Sequence, residues 1–357
     1  MRIRFLYILS FLGLTFTAIH QGVAQDKIVS VNDEALLKVR PARLLSEYGL
    51  FSDLGAQIPT EGILPYDLQV SLFTDYAHKY RFVYVPSGKT ASYDETEVLK
   101  FPVGSVLIKT FAYPADFRKP DQNIRLIETR LLIHQEKGWN AWAYVWNDDQ
   151  SDAVLKVAGK RLDIDWIDTS GNLRQIEYKV PNKNQCKGCH TLDKAFTPIG
   201  PKARNLNKDY AYRGGVENQL IEWTKQGVLE SLPPIENVQH IPPIENENSD
   251  LNSRARAYLD INCAHCHRLR GPASTSGLFL TYGEKDPVHW GYKKRPVAAG
   301  RGSGGLSFDI DPGRPENSIL HFRMHSEDPG IMMPETGRTI VHKEGLRLIH
   351  EWIEKLE

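Results

Sequence analysis

The chain has 357 residues, enough for two or three domains, and its 44 Lys and Arg residues balance 44 Asp and Glu residues. A formal net charge of zero argues against a broad basic face, so no nucleic-acid partner is expected. Aromatic residues make up 10% of the chain, which suits a β-rich part, and the composition does not suggest long disorder.

The first 24 residues have the pattern of a secretory signal peptide. A basic start at Arg2 and Arg4 precedes an apolar run over residues 5–19, and small residues follow at 22–24. The apolar run is short for a membrane span, although an uncleaved N-terminal anchor is the alternative. No later stretch is apolar enough to span a bilayer. We therefore expect an exported, periplasmic protein with no membrane span after cleavage.

Residues 25–66 form a lead-in segment with a short helical pattern, and period-two alternation then predicts strands between residues 67 and 181. The nine candidate strands are residues 68–73, 80–85, 98–101, 105–111, 124–134, 139–146, 153–157, 162–167 and 175–180. Turn residues at 168–172 join the last two strands into a hairpin. The pattern predicts an all-β, sandwich-like or barrel-like domain over residues 67–181.

One candidate strand carries an aromatic stripe at Trp142, Tyr144 and Trp146. Alternate residues of a strand lie on one face, so these rings share an environment. A buried core is the simpler interpretation, and a sugar-binding platform is the alternative.

Beyond residue 181 the chain divides into three parts. Residues 182–230 contain a helical pattern at 215–226, and residues 231–249 repeat Pro-Pro-Ile-Glu-Asn, which predicts a semi-rigid linker. In residues 250–357 one helix follows a cap at Asp250 or Asn252, and a second amphipathic helix covers residues 343–356. We expect this last part to be a mostly α-helical domain.

All the cysteines of the chain lie in two Cys-x-x-Cys-His motifs. Motif 1, at residues 186–190, contains Cys186, Cys189 and His190, and motif 2, at residues 263–267, contains Cys263, Cys266 and His267. In c-type haem attachment the thiols of such a motif bind the porphyrin vinyl groups, and the histidine is the proximal iron ligand. A structural zinc site, disulfides or redox pairs would leave both histidines unexplained. The sequence therefore predicts two covalently bound haem c groups, and a class I cytochrome c domain at residues 250–357.

Three methionines follow motif 2, and each is a candidate for the sixth iron ligand of the haem at that motif, haem 2. They are Met324, Met332 and Met333. Met333 precedes Pro334, as in the Met-Pro turn that supplies this ligand in many class I cytochromes, so Met333 is the predicted metal ligand. Met332 is the next choice, and Met324 is interpreted as a core residue.

The haem at motif 1, haem 1, has no methionine between its motif and the last domain. His240 in the linker, or His78 or His134 in the β part, are candidates for its sixth ligand, and a vacant position is the alternative. Each of these histidines also suits an ordinary packed or solvated position. His265, between the two cysteines of motif 2, is given no role.

A glycine-rich run at residues 300–305 lacks the Lys-Ser or Lys-Thr pair of a phosphate loop. Close approach of its backbone to a haem is the simpler interpretation. Arg301 and Arg314 are candidates for pairing with haem propionates, or are ordinary surface residues.

The two motifs, with several other runs, resemble an uncharacterised family of exported bacterial dihaem c-type cytochromes. The runs that carry the resemblance are residues 64–68, 71–76, 127–132, 180–190, 262–267, 296–302 and 332–338. The resemblance extends over nearly all of the mature chain and implies haem binding and electron transfer. Members are often encoded beside a parallel β-helix repeat protein, which is therefore a candidate redox partner. The family supplies no substrate.

The sequence favours a periplasmic dihaem c-type cytochrome that transfers electrons to and from a redox partner protein. A second hypothesis is a dihaem peroxidase-like or other haem oxidoreductase, with haem 1 as the reactive centre. A third makes the β domain a carbohydrate-binding module that serves a polysaccharide oxidase. No catalytic residue is assigned under any of them.

Overall fold

The computed structural model describes residues 29–297 and 299–357. The predicted signal peptide at residues 1–24 therefore lies outside the described residues. Strands make up 27% of the structure and helices 22%. In the part of the chain that is described, no helix is both long and apolar enough to cross a bilayer.

The described residues form short helices and mostly short strands. The helices are α1 Asp33–Leu37, α2 Lys183–Cys189, α3 Ala203–Leu206, α4 Gln219–Lys225, α5 Leu251–Asn262, α6 Ile319–His325 and α7 Lys343–Glu354. The strands are β1 Phe51–Asp53, β2 Ile58–Pro59, β3 Ile63–Pro65, β4 His78–Tyr84, β5 Ala91–Ser92, β6 Val106–Pro114, β7 Ile124–Gln135, β8 Gly138–Trp146, β9 Ala153–Leu155, β10 Lys160–Ile167, β11 Leu173–Val180, β12 Thr191–Leu192, β13 Ala195–Phe196, β14 Asp209–Tyr212, β15 Gly215–Asn218 and β16 Leu229–Glu230.

The central element is an antiparallel six-stranded sheet with the strand order β3-β4-β6-β7-β8-β9. Two predicted strands, residues 68–73 and 98–101, do not form as strands. Around residue 70 the backbone is bonded elsewhere, because Asn205 accepts from the backbone N–H of Gln69 through its carbonyl and of Val70 through its side chain, both at 2.8 Å. Local alternation predicted strands here, but long-range hydrogen bonds decided the conformation.

One face of the sheet packs against α1 and the 3₁₀ turn Leu45–Tyr48. The aromatic stripe lies on this face, where Trp142, Tyr144 and Trp146 are 8%, 0% and 5% exposed. The core interpretation of the stripe is therefore confirmed, and these rings offer no sugar-binding platform.

The predicted sandwich or barrel was wrong. The hairpin β10–β11 packs on the other face of the sheet, but it is a two-stranded ribbon and the six-stranded sheet stays open. Pro181 follows β11 and has no N–H to extend a ladder. Asn182 then caps α2 instead, so the chain leaves the sheet here.

The prediction of a mostly α-helical cytochrome c domain was also wrong. Over the described part of residues 250–357 the helices are α5, α6 and α7, and residues 263–297 and 299–318 form loops and 3₁₀ turns. Glycines with positive φ, such as Gly277, Gly291 and Gly304, recur in this stretch. Such backbone conformations end helices, which explains why the described residues between α5 and α6 contain no α-helix.

The two predicted helices nevertheless form and pack together. Helix α5 begins at the Asp250 cap, and α7 lies across it with Ile349 and Trp352 in a shared core. Close approach requires Gly345, because a Cβ at that position would lie 2.4 Å from the ring of Tyr258. This contact fixes the orientation of the helix that leads into motif 2.

A buried ion pair joins α5 to α3. The Asp260 carboxylate lies 3.1 Å from Lys202 Nζ and 2.8 Å from Arg204 Nη2, and all three side chains are at most 6% exposed. Burial raises the pKa of the Asp260 carboxyl, but the two cations outweigh it and hold the pKa at about 2. The pair ties the segment that carries motif 1 to the helix that leads into motif 2.

Candidate functional site

Motif 1 lies on α2, a helix of seven residues, and not on an irregular loop. The Asn182 side chain accepts from the backbone N–H of Gln185, and the Gln185 side chain accepts from that of Asn182, both at 2.9 Å. This reciprocal cap begins the helix directly after Pro181. It places Cys186 and Cys189 on successive turns, with both thiols part-buried.

His190 follows at the C-terminus of α2, and its orientation is set by the hairpin β12–β13. Its Nδ1 lies 3.0 Å from the carbonyl oxygen of Thr197, and its ring stacks on Phe196 with centroids 5.2 Å apart. Burial lowers the pKa of His190 to about 4, so the imidazole is neutral. A neutral ring with Nδ1 engaged by a carbonyl leaves Nε2 free for a metal.

Motif 2 begins where α5 ends. Cys263 is the C-cap of the helix, and its carbonyl accepts from the backbone N–H of His267 at 2.9 Å, which forms a tight turn. His267 Nδ1 lies 3.4 Å from Ser276 Oγ, and burial lowers the pKa of His267 to about 4. Both motif histidines are therefore neutral and oriented through one ring nitrogen.

The fold brings the two motifs into contact. One ligand atom each from Cys189, His265 and Cys266 lies within 4.8 Å of the others. The sulfur contact lowers the pKa of the Cys189 thiol and raises that of Cys266, because a hydrogen bond joins the two groups. An ion pair between Arg270 and Asp193 joins the segments that follow the motifs. The thiols of Cys189 and Cys266 are thus neighbours in space.

Motif 1 forms one wall of a cleft over the six-stranded sheet. The space inside the cleft is about 150 Å³, which is below the roughly 300–1000 Å³ of common ligand pockets. Apolar side chains cover most of its surface. They include Leu68, Leu72, Phe73, Leu107, Leu132, Ile199 and Ile261. An apolar cleft with two thiols and a neutral imidazole on one wall offers the side-chain chemistry that attaches haem.

His265 lines the same cleft, although sequence reasoning gave it no role. Its Nδ1 is buried and has no hydrogen-bond partner among the described residues. The side chain belongs to motif 2 but faces the cavity of motif 1. Only the contact between the motifs reveals this, and no local sequence signal could have predicted it.

Met333 lies in a turn held by two arginines. Its backbone N–H donates to the Arg323 carbonyl at 3.0 Å, and Arg338 Nη2 donates to the Met333 carbonyl at 2.9 Å. Burial is the main cause of the lowered pKa of His267 and of the raised pKa of Cys263, and the charges of Arg323 and Arg338 lie close enough to act on His267 and Cys263 respectively. The turn therefore lies beside motif 2.

The three methionines differ in burial. Met332 is 5% exposed, whereas Met333 is half-buried, and Met324 is 7% exposed within the core around α5 and α7. The core interpretation of Met324 is confirmed. Pro334 and Thr336, directly after the methionine pair, line the cleft of motif 1.

The three histidines predicted as candidates for the sixth ligand of haem 1, His78, His134 and His240, do not line the cleft. His134 Nδ1 lies 2.8 Å from the Phe101 carbonyl, and its ring stacks on Trp139. His78 packs against Phe117, with ring centroids 5.8 Å apart, and His240 is exposed. Packing and exposure account for all three positions.

Neither arginine proposed for propionate pairing lines the cleft. Arg301 is exposed and pairs with Asp328 at 2.9 Å, and Arg314 is exposed. The cations in the cleft are instead Arg81, Lys109 and Arg130, each from a strand of the sheet. Each is a charged residue within a predicted strand, but β4 and β7 contain other charged residues, so the sequence alone does not single out these three.

Comparison of the chain with family models, with curated proteins and with solved structures gave no match.

Proposed function

We propose that this protein is a dihaem c-type cytochrome that carries electrons between groups attached at motif 1 and motif 2. The contact between the motifs is the observation that carries the proposal, since Cys189 and Cys266 present their sulfurs within 4.8 Å of one another. Two redox groups anchored at neighbouring thiols are well placed to exchange electrons.

The residues of the chain have separate tasks in this proposal. Each motif thiol adds its sulfur and hydrogen across a vinyl double bond, so attachment releases no leaving group. His190 and His267 offer Nε2 as the proximal ligand, because Thr197 and Ser276 engage the other ring nitrogen. Haem, when bound, supplies a one-electron redox centre whose potential depends on its axial ligands and its burial.

The resemblance to exported dihaem cytochromes supports the same function. We propose a periplasmic location after removal of residues 1–24, in the compartment where bacteria attach haem to this motif. The proposed partner is a redox protein, with the parallel β-helix protein encoded beside relatives as the first candidate.

Intact mass spectrometry tests haem attachment. The protein is expressed in a host competent in c-type haem maturation, together with the paired variants Cys186→Ala/Cys189→Ala and Cys263→Ala/Cys266→Ala. We expect the denatured wild-type protein to be two haem units heavier than its polypeptide, and each paired variant one unit heavier. An unmodified wild-type mass, or zinc bound in place of iron, would overturn the proposal.

A further inference from the structure

Three cations form a row across the sheet beneath the cleft. In the register of β4, β6 and β7, Arg81 lies opposite Lys109, and Lys109 lies opposite Arg130. Like charges directly opposite one another on a sheet are destabilising. All three side chains also line the cleft. The row therefore needs counter-charges.

Two members of the row have a carboxylate partner. Arg81 Nη1 lies 2.6 Å from Asp67 Oδ1, and Arg130 Nε lies 2.9 Å from Glu128 Oε2. Lys109 differs from both. Across residues 29–297 and 299–357 its Nζ has no carboxylate at ion-pair distance and no hydrogen-bond acceptor, and it lies 4.8 Å from the Phe111 ring centroid.

The charges around Lys109 and an unpaired donor on Arg81 also indicate that this surface suits an anion. Burial, followed by the neighbouring cations Arg81, Lys79 and Arg130, holds the pKa of the Lys109 ammonium well below its ordinary value. Arg81 is 4% exposed, and its buried Nε has no partner among the described atoms. The Lys109 amine without a counter-ion and an unpaired guanidinium N–H thus line the same cleft.

We propose that Lys109 and Arg81 form an oxyanion-binding site on the sheet side of the cleft. An anion there would accept charge-assisted hydrogen bonds and relieve the repulsion within the row. The oxyanion is either a propionate carboxylate of the group attached at Cys186 and Cys189, a source that rests on the proposed function, or a small free oxyanion.

The test compares three variants of the full-length protein. Lys109→Gln removes the unpaired cation, and Lys109→Arg keeps its charge. Lys79→Gln is the matched control, because Lys79 belongs to the same face, does not line the cleft, and donates from Nζ to the Ala77 carbonyl at 3.0 Å. Haem content is measured first, then the propionate bending band by resonance Raman spectroscopy, the haem potentials, and calorimetric binding of inorganic sulfate and nitrite.

A propionate source predicts that Lys109→Gln alone shifts the Raman band and lowers the potential of haem 1, while the wild-type protein binds neither added anion. A free-anion source predicts saturable binding by the wild-type protein, weakened at least about tenfold in Lys109→Gln, with the Raman band unchanged. A haem-loaded Lys109→Gln protein that matches wild type in both measurements overturns the inference.

The haem content of the wild-type protein shows whether the proposed function fails, independently of the oxyanion site. A wild-type protein without haem removes the propionate source, and sulfate and nitrite calorimetry on that protein then decides the inference. Saturable binding lost in Lys109→Gln supports the site, and its absence rejects it.

Discussion

Each motif histidine has one ring nitrogen already engaged by the protein. The Thr197 carbonyl lies 3.0 Å from Nδ1 of His190, and Ser276 Oγ lies 3.4 Å from Nδ1 of His267. Such partners fix both the tautomer and the orientation of the ring. At the scale of single residues, each motif therefore presents a neutral imidazole in a defined orientation before any iron is bound.

The proposed sixth ligand of haem 2 is also a single residue, Met333. We expect Met333→Ala to abolish the weak near-infrared methionine–iron band and to lower the potential of haem 2, because a methionine ligand favours the reduced iron. The measurement is a redox titration followed by optical spectroscopy.

Met332→Ala is the control, since the neighbouring side chain is 5% exposed. It should lower stability by about 2–5 kcal/mol and keep the band. Loss of the band only in Met332→Ala would identify Met332, and not Met333, as the ligand. Retention in both variants would place the ligand outside this turn.

At the scale of elements, the buried Asp260 ion pair aligns α5 with α3. Removal of one partner from a buried ion pair leaves the others uncompensated, which costs about 3–5 kcal/mol. We expect Asp260→Asn to lower the free energy of unfolding by that amount in urea titrations. The control is Glu177→Gln, which removes an ion pair whose side chains are 72% and 47% exposed and should cost under about 1 kcal/mol. Equal losses in the two variants would contradict this role.

The same pair predicts a pH dependence. The folded pKa of Asp260, about 2, lies below its ordinary value of 3.8, so its stabilisation is complete above the ordinary value and is lost as the pH falls toward 2. The stability difference between wild type and Asp260→Asn should therefore be constant near neutral pH and shrink below about pH 4. A difference that stays constant into this acid range would assign the stabilisation to another group.

At the scale of the whole molecule, the cleft is assembled from distant parts of the chain. The sheet forms its floor, α2 and residues 198–201 lie on one side, and Pro334, Thr336 and Gly337 come from the C-terminal part. His190 and His265 are the histidines that line it, and no methionine is among its lining residues. An iron ligated by His190 would therefore be accessible from the cleft.

Carbon monoxide measures that accessibility. We expect the reduced protein to bind it at roughly half of its haems, because the proposed methionine ligand would close haem 2 and the cleft would leave haem 1 open. His190→Ala should remove this binding and spare haem 2. As an electron carrier the protein should consume no peroxide, and steady peroxide turnover on the same sample would favour the oxidoreductase hypothesis instead. A reduced protein that binds no carbon monoxide would show that a cleft residue closes the sixth position.

Features that depend on neighbouring residues could be predicted from the sequence. Alternation predicted β4, β6, β7 and β8, turn residues predicted the β10–β11 hairpin, and caps and apolar spacing predicted α5 and α7. These depend on hydrogen bonds and side-chain periods within one segment. The two motifs were visible for the same reason, since each lies within five residues.

Tertiary structure decided the rest. The hairpin β10–β11 packs on the open six-stranded sheet and does not extend it into a sandwich or barrel. The contact of Cys189 with Cys266, the place of His265 in the cleft and the row through Lys109 all join residues from separate segments. A one-dimensional pattern records which side chains share a face, but only packing between segments sets which faces meet and which charges they bury.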